Sequence, residues 1–239
     1  MKKFIDITSS ESIDLHKPIF ENARKLHNDA ILLATYKSSY STATSLLILS
    51  LEELVKAVLV LLHSQGYRIY ELEDSKKFFF DHKIRHQLIQ IIEAGLGFFE
   101  VSNVWKNRRK NTLVNKKSSK TGLIIKGLLD IIVSAHPILN SQKRIEKLRE
   151  FNTMKNNGFY VDYRDKLLTP IETVDKNDFN EVKLIEDRII KFYKLLKLLF
   201  HPNIVNHLSK NEIDKLKEDL RFFTDDIMRD FSFKELKNI

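Results

Sequence analysis

Hydrophobic residues along this chain recur mostly at three- and four-residue spacing, and that period predicts helices. Ile19, Ala23, Leu26, Ala30 and Leu33 form one such stripe, with Pro18 suited to the first turn. After the turn-permissive "YKSSYST", a longer helix is expected from about Tyr40 to Ser64, with Gly66 placed to end it. A third is expected over Asp81 to Phe99, using Ile84, Leu88, Ile91 and Phe98. From Gly122 the run "LIIKGLLDIIV" suits a buried helix or a strand, its length and internal Lys126 and Asp130 favouring helix, and Pro137 is read as its end. A further helix is expected from Gln142 to Met154, before the turn signal at Asn156 to Gly158. The clearest amphipathic stripe is Val182, Ile185, Ile189, Phe192, Leu196 and Leu199, which stops at His201 and Pro202. Finally Ser209 and Glu212 have capping-box spacing ahead of Ile213, Leu216, Leu220, Phe223 and Ile227.

These elements imply an all-α fold, and six Gly and four Pro in 239 residues agree with it. At 43% hydrophobic the chain can bury a sizeable core. There is no cysteine, hence no disulfide and no thiolate metal ligand. The longest uncharged run is the 14 residues from Ser38 to Leu51, short of the roughly 20 apolar residues of a spanning helix. No membrane association and a cytoplasmic location are the expectation. No GxGxxG, P-loop, HExxH or GxSxG motif occurs, which leaves nicotinamide, nucleotide-triphosphate, zincin and hydrolase-elbow chemistry without support.

Charge adds two features. The net +8 is concentrated: Val101 to Leu129 contains no acid, yet holds Lys106, Arg108, Arg109, Lys110, Lys116, Lys117, Lys120 and Lys126. Such a window suits a polyanion, with Arg108, Arg109 and Lys110 as candidate RNA contacts beside Trp105, though a solvated basic loop has the same composition. The second feature is "SLLILSLEELVKAVLVLL", Ser45 to Leu62, where Glu52, Glu53 and Lys56 interrupt an apolar run. Both acids lie three or four residues before Lys56, the favourable order for helical pairing. A charged core cluster is expected, serving either helix register or a site. A helix so apolar on all sides also suggests cover from a second subunit.

Three ordered blocks carry a resemblance. "HNDAILLATYKSSYSTATSLLILSLEELVKAVLVLL", "FFFDHKIRHQ" and "MKNNGFYVDYRDKLLTP" are similar to HEPN domains of the AbiV abortive-infection type, over about Ala23 to Pro202. The resemblance implies a HEPN-like helical bundle over residues 1–204 with an additional C-terminal helical extension, 205–239, packed on it. It also implies a homodimer that acts in bacterial defence against phage, with RNA and a phage-encoded trigger protein as partners. Many HEPN proteins are metal-independent ribonucleases, so no metal or cofactor is expected. Their usual signature, Arg followed after four to six residues by His, is absent from this chain. The matching element is instead His82, Lys83 and Arg85: His82 as proton-transfer group, with Lys83, Arg85 and Lys155 on phosphate. The alternative is a non-enzymatic module that binds RNA, the translation machinery or a phage protein.

Two further readings concern single segments. His82 and His86, four apart, have the spacing of two zinc ligands, but Lys83 and Arg85 between them repel a metal and no third ligand is evident. Tyr160 and Asp162 follow a glycine turn and suit a loop site, although "FYVDY" also reads as a short extended segment that buries its aromatics.

Replacing Arg108, Arg109 and Lys110 together with neutral residues removes three candidate phosphate contacts. RNA binding by this variant should have a salt slope flatter by about two units, at ~0.7 per contact, with thermal stability unchanged. Titrations over a range of salt check this, and equal slopes for variant and parent assign the window to solubility.

Overall fold

The computed structural model describes residues 2–72, 74–101 and 137–228. The basic window, with Trp105, Arg108, Arg109 and Lys110, and the run after Gly122 lie outside the described residues. The two longest N-terminal helices are α1 (His16–Lys37) and α2 (Tyr40–Ser64). Between them Ser38 takes a left-handed conformation, and Ser39 N–H donates to the Leu33 carbonyl at 3.2 Å. At the far end of α2, Gly66 has φ +78°, and Tyr67 N–H returns to the Leu62 carbonyl at 3.2 Å.

Helix α3 (His82–Val101) and helix α4 (Pro137–Asn157) pack on each other and on α2. Pro137 is the first residue of α4, a position where a missing N–H costs nothing, and the element expected before it lies outside the described residues. The expected Gln142 to Met154 helix is therefore longer at both ends. Then come a hairpin of β1 (Asp162–Arg164) and β2 (Lys166–Leu168), the short α5 (Pro170–Thr173), and α6 (Lys176–Leu199). Asp175 caps α6 by accepting from the Asn177 and Asp178 N–H groups at 2.7 and 3.0 Å. Ser209 and Glu212 form the expected capping box on α7 (Lys210–Arg221), which runs on through a π-helical turn at Phe222–Ile227.

Helix α2 is the axis of this all-α bundle. Leu47, Ile48, Leu51, Leu54, Val55, Val58 and Leu59 are essentially inaccessible, under cover from α1, α3, α4 and α6 of the same chain. Its apolar circumference is thus satisfied within one chain and gives no argument for a second subunit. Leu220, Phe223 and Met228 join the main core, while Ile213 packs with Ile204 and Leu208 in a smaller cluster. Among the described residues no helix is long and apolar enough to cross a membrane.

Polar contacts between helices fix how the bundle closes. Arg188 on α6 reaches Glu93 on α3 at 2.6 Å, both buried. Glu186, also on α6, meets His27 of α1 at 2.8 Å, and Ser50 of α2 donates to the Ala23 carbonyl at 2.9 Å. The extended segment at 159–168 departs from expectation: it is a hairpin, but its aromatics are exposed rather than buried.

Gly158, just past α4, sits hard against α2. A Cβ there would lie 2.5 Å from the Ser41 carbonyl oxygen and closer still to Ser45 Oγ. Gly158→Ala should therefore destabilise by about 1–3 kcal/mol, because the clash is partly with backbone. Urea unfolding checks this, and an unchanged or raised midpoint would show that the crossing relaxes freely.

Candidate functional site

The site forms where α2, α3 and α4 meet. Glu52 projects from the middle of α2 and is 2% exposed, a position in which an unpaired carboxylate is untenable. Helix α3 supplies its partners. Asp81 caps the helix, accepting from the Lys83 and Ile84 N–H groups at 2.8 and 3.2 Å. The sequence "HKIRH" then places His82, Arg85 and His86 at i, i+3 and i+4, on one helical face. That face is turned to Glu52.

Five donors converge on the one carboxylate. Oε2 lies 2.5 Å from His82 Nδ1, 3.2 Å from Arg85 Nε and 2.8 Å from Arg85 Nη2. Oε1 accepts from His86 Nε2 and from Lys155 Nζ, each at 3.0 Å. Lys155 comes from the last turn of α4, whose backbone is held by Ser45 Oγ donating to the Lys155 carbonyl at 2.8 Å. Burial alone would push the Glu52 carboxyl up, but the hydrogen bonds from His86, Arg85 and Lys155 outweigh it and hold the group well below the usual carboxylate range.

These contacts fix the imidazole protons. An ionised carboxylate only accepts, so His82 Nδ1 carries the hydrogen and donates to Oε2. Arg85 Nη2, 2.8 Å from that nitrogen, shares the same oxygen rather than donating to the ring. In the neutral His82 ring, Nε2 is then the nitrogen with the free lone pair. The His82 side chain is 48% exposed, while those of Arg85, His86 and Lys155 are buried. Burial pushes the His86 imidazole down, against the pull of Glu52, so it is neutral near pH 7. Two permanent cations then face one carboxylate, and the hub carries a surplus positive charge beneath a half-exposed histidine.

The sequence candidates divide accordingly. His82, Arg85, Lys155 and Glu52 are brought together. Lys83 lies off that face and is exposed. Glu53 and Lys56 pair with each other, at about one-fifth exposure each, so Lys56 does not belong to the buried cluster. Tyr160 and Asp162 are on the exposed hairpin, and Arg108, Arg109 and Lys110 are outside the described residues. His86 is the addition: weighed in the sequence only as a zinc ligand, it is a donor to Glu52. Its four-residue step from His82 was the available signal. Among the described residues no group of three His, Cys, Asp or Glu side chains is placed to hold a metal ion.

A model of the family described as AbiV, of HEPN type, matches residues 11–191, well over half of the chain. The match spans α1 to most of α6 and includes every residue of the hub. Comparison with curated proteins and with solved structures gives no match.

Glu52→Gln should cost about 3–5 kcal/mol, because it leaves Arg85 and Lys155 buried without a counter-charge. Lys56→Met should cost at most about 1 kcal/mol, as its pair is partly solvated. In the unfolded chain Glu52 takes a proton near 4.5 and His86 near 6.5; in the fold both resist protonation. Acid therefore favours the unfolded state, with stability lost first as pH falls through 6.5 and further below 4.5. Urea midpoints between pH 7 and 4 check this, and a parent and Glu52→Gln with parallel pH profiles would contradict the assignment to Glu52.

Proposed function

Because the chain belongs to the AbiV family of HEPN domains, we propose that it is an abortive-infection protein of antiphage defence which, once triggered by a phage component, cleaves RNA without a metal ion. The observation that carries the chemistry is the pairing of a half-exposed His82 with a buried hub of excess positive charge. Glu52 holds the ring through Nδ1 and leaves Nε2 as the basic nitrogen, the arrangement a general base requires.

In this reading His82 Nε2 takes the proton of a ribose 2′-hydroxyl. The 2′-oxygen forms the new bond to phosphorus, the bond from phosphorus to the 5′-oxygen breaks, and the proton is passed to that leaving oxygen. The products are a 2′,3′-cyclic phosphate and a 5′-hydroxyl. Lys83, exposed beside His82, supplies a direct phosphate contact. Arg85 and Lys155 act from below: their charges are shared with Glu52, and the excess stabilises negative charge that builds on the phosphoryl oxygens. The working assembly is proposed to be a homodimer, with RNA as substrate and a phage-encoded protein as trigger.

A second reading, a non-enzymatic interaction module, draws on one observation. The Arg-to-His signature is missing, and Arg85 adjoins His86 directly, with both side chains turned to Glu52.

His82→Ala should abolish cleavage of total RNA and growth arrest on phage infection while the protein stays folded, destabilised by about 1–2 kcal/mol for the one hydrogen bond lost from Glu52. Lys83→Ala should weaken cleavage by roughly 10–100-fold, the scale of one lost electrostatic contact. Cleavage should persist in chelator and leave cyclic-phosphate ends. Undiminished arrest by His82→Ala would decide for the interaction module, and a strict need for a divalent cation would overturn the proton-transfer role.

A further inference from the structure

The segment that leaves α4 exposes its rings to solvent. Tyr160 is 69% and Tyr163 72% exposed, and Phe159, in edge contact with Tyr160, is exposed as well. In a folded chain such large aromatics normally find cover, and exposed apolar patches of this kind mark binding surfaces. A two-stranded hairpin is also marginal by itself in water. Here it is rooted by the backbone: Gly158 N–H donates to the Met154 carbonyl and Tyr160 N–H to the Asn156 carbonyl, each at 2.9 Å.

That root lies one turn beyond Lys155, whose ammonium is bonded to Glu52. Phe159 is four positions after Lys155, so their Cα atoms are at most about 14 Å apart. The same helix thus sends one side chain inward to the hub and carries the rings outward from its end. The charges of the segment cancel in number. Asp162 is bridged by Arg164 at 2.8 Å, and Asp165 and Lys166 add one charge of each sign. Attraction to a polyanion at the hairpin therefore comes from the faces of the rings more than from net charge.

We propose that this hairpin is a nucleobase platform: unpaired bases of a single-stranded RNA stack on Tyr160 and Tyr163 while a neighbouring phosphodiester reaches His82. The second half of this statement rests on the ribonuclease reading; the first does not. Stacking suits these residues because every base has a π-face, so separate exposed rings hold a flexible strand without reading its sequence. A duplex has its bases already stacked and offers nothing to the rings.

The test measures binding of a labelled, 2′-O-methylated, mixed-sequence single strand to the full chain. This probe has no nucleophilic 2′-hydroxyl, so binding is read without turnover. Tyr160→Ala with Tyr163→Ala should weaken binding at least about tenfold and leave the slope of affinity against salt unchanged. Tyr160→Phe with Tyr163→Phe should bind as the parent does, because the rings remain. The corresponding duplex should bind parent and alanine variant alike. Unchanged affinity of the alanine variant overturns the proposal, as does equal loss for single strand and duplex. A fall in mass by light scattering with the alanine variant also overturns it, assigning the hairpin to contact between copies of the chain. If ring-dependent binding holds while unmodified RNA is never cleaved, the platform stands and the ribonuclease reading alone fails.

Discussion

A single buried carboxylate sets the arrangement of three helices. Glu52 sits among leucines and valines on the central helix, and its charge is tolerable there only because five hydrogen bonds end on its two oxygens. Those donors come from residues 30 to 34 and 103 positions further along the chain. Satisfying Glu52 therefore dictates which face α3 turns to α2 and how far along α2 the end of α4 must lie. A slip of one residue in α3 rotates His82, Arg85 and His86 away together, because they share one face through the helical period.

The rest of the bundle keeps that arrangement in place. Arg188 with Glu93 ties α6 to α3, and Glu186 with His27 ties α6 to α1. Buried pairs of this kind add little net stability, since desolvation offsets most of the attraction. Their partners are specific, however, and a misregistered packing would leave several charges unmatched. Just past the C-terminal end of α4, Gly158 allows the chain to pass against Ser41 and Ser45 at a distance no side chain permits. Lys155 reaches Glu52 from there because its backbone is held at Ser45.

His82 is the point at which this interior meets solvent. It is the first residue of α3, capped by Asp81, with one ring nitrogen committed to Glu52 and half of its side chain exposed. An AbiV-type HEPN domain without the usual Arg-to-His spacing can thus still assemble histidine, arginine and lysine around one carboxylate, with the histidines and arginine from α3 and the lysine from α4.

Local chemistry wrote much of this into the chain. The period of Val182, Ile185, Ile189 and Leu196 defines α6, Gly66 ends α2, and Ser209 with Glu212 starts α7, because periodicity and capping act within a few residues. Glu52 was legible as a charge in an apolar run that required a partner, and HKIRH as a cluster suited to phosphate. Their partnership was not, nor was the exclusion of Lys56, which stands at helical spacing from Glu52 yet bonds Glu53 at the half-open edge of α2. Pro137, read from the sequence only as an end, is also the first residue of α4, since proline suits either side of a boundary. The aromatics of the hairpin show the same limit: extended backbone follows from composition, but exposure depends on what else folds over it. Contacts between residues a hundred positions apart are chosen by which helices meet, and no interval along the chain encodes that meeting.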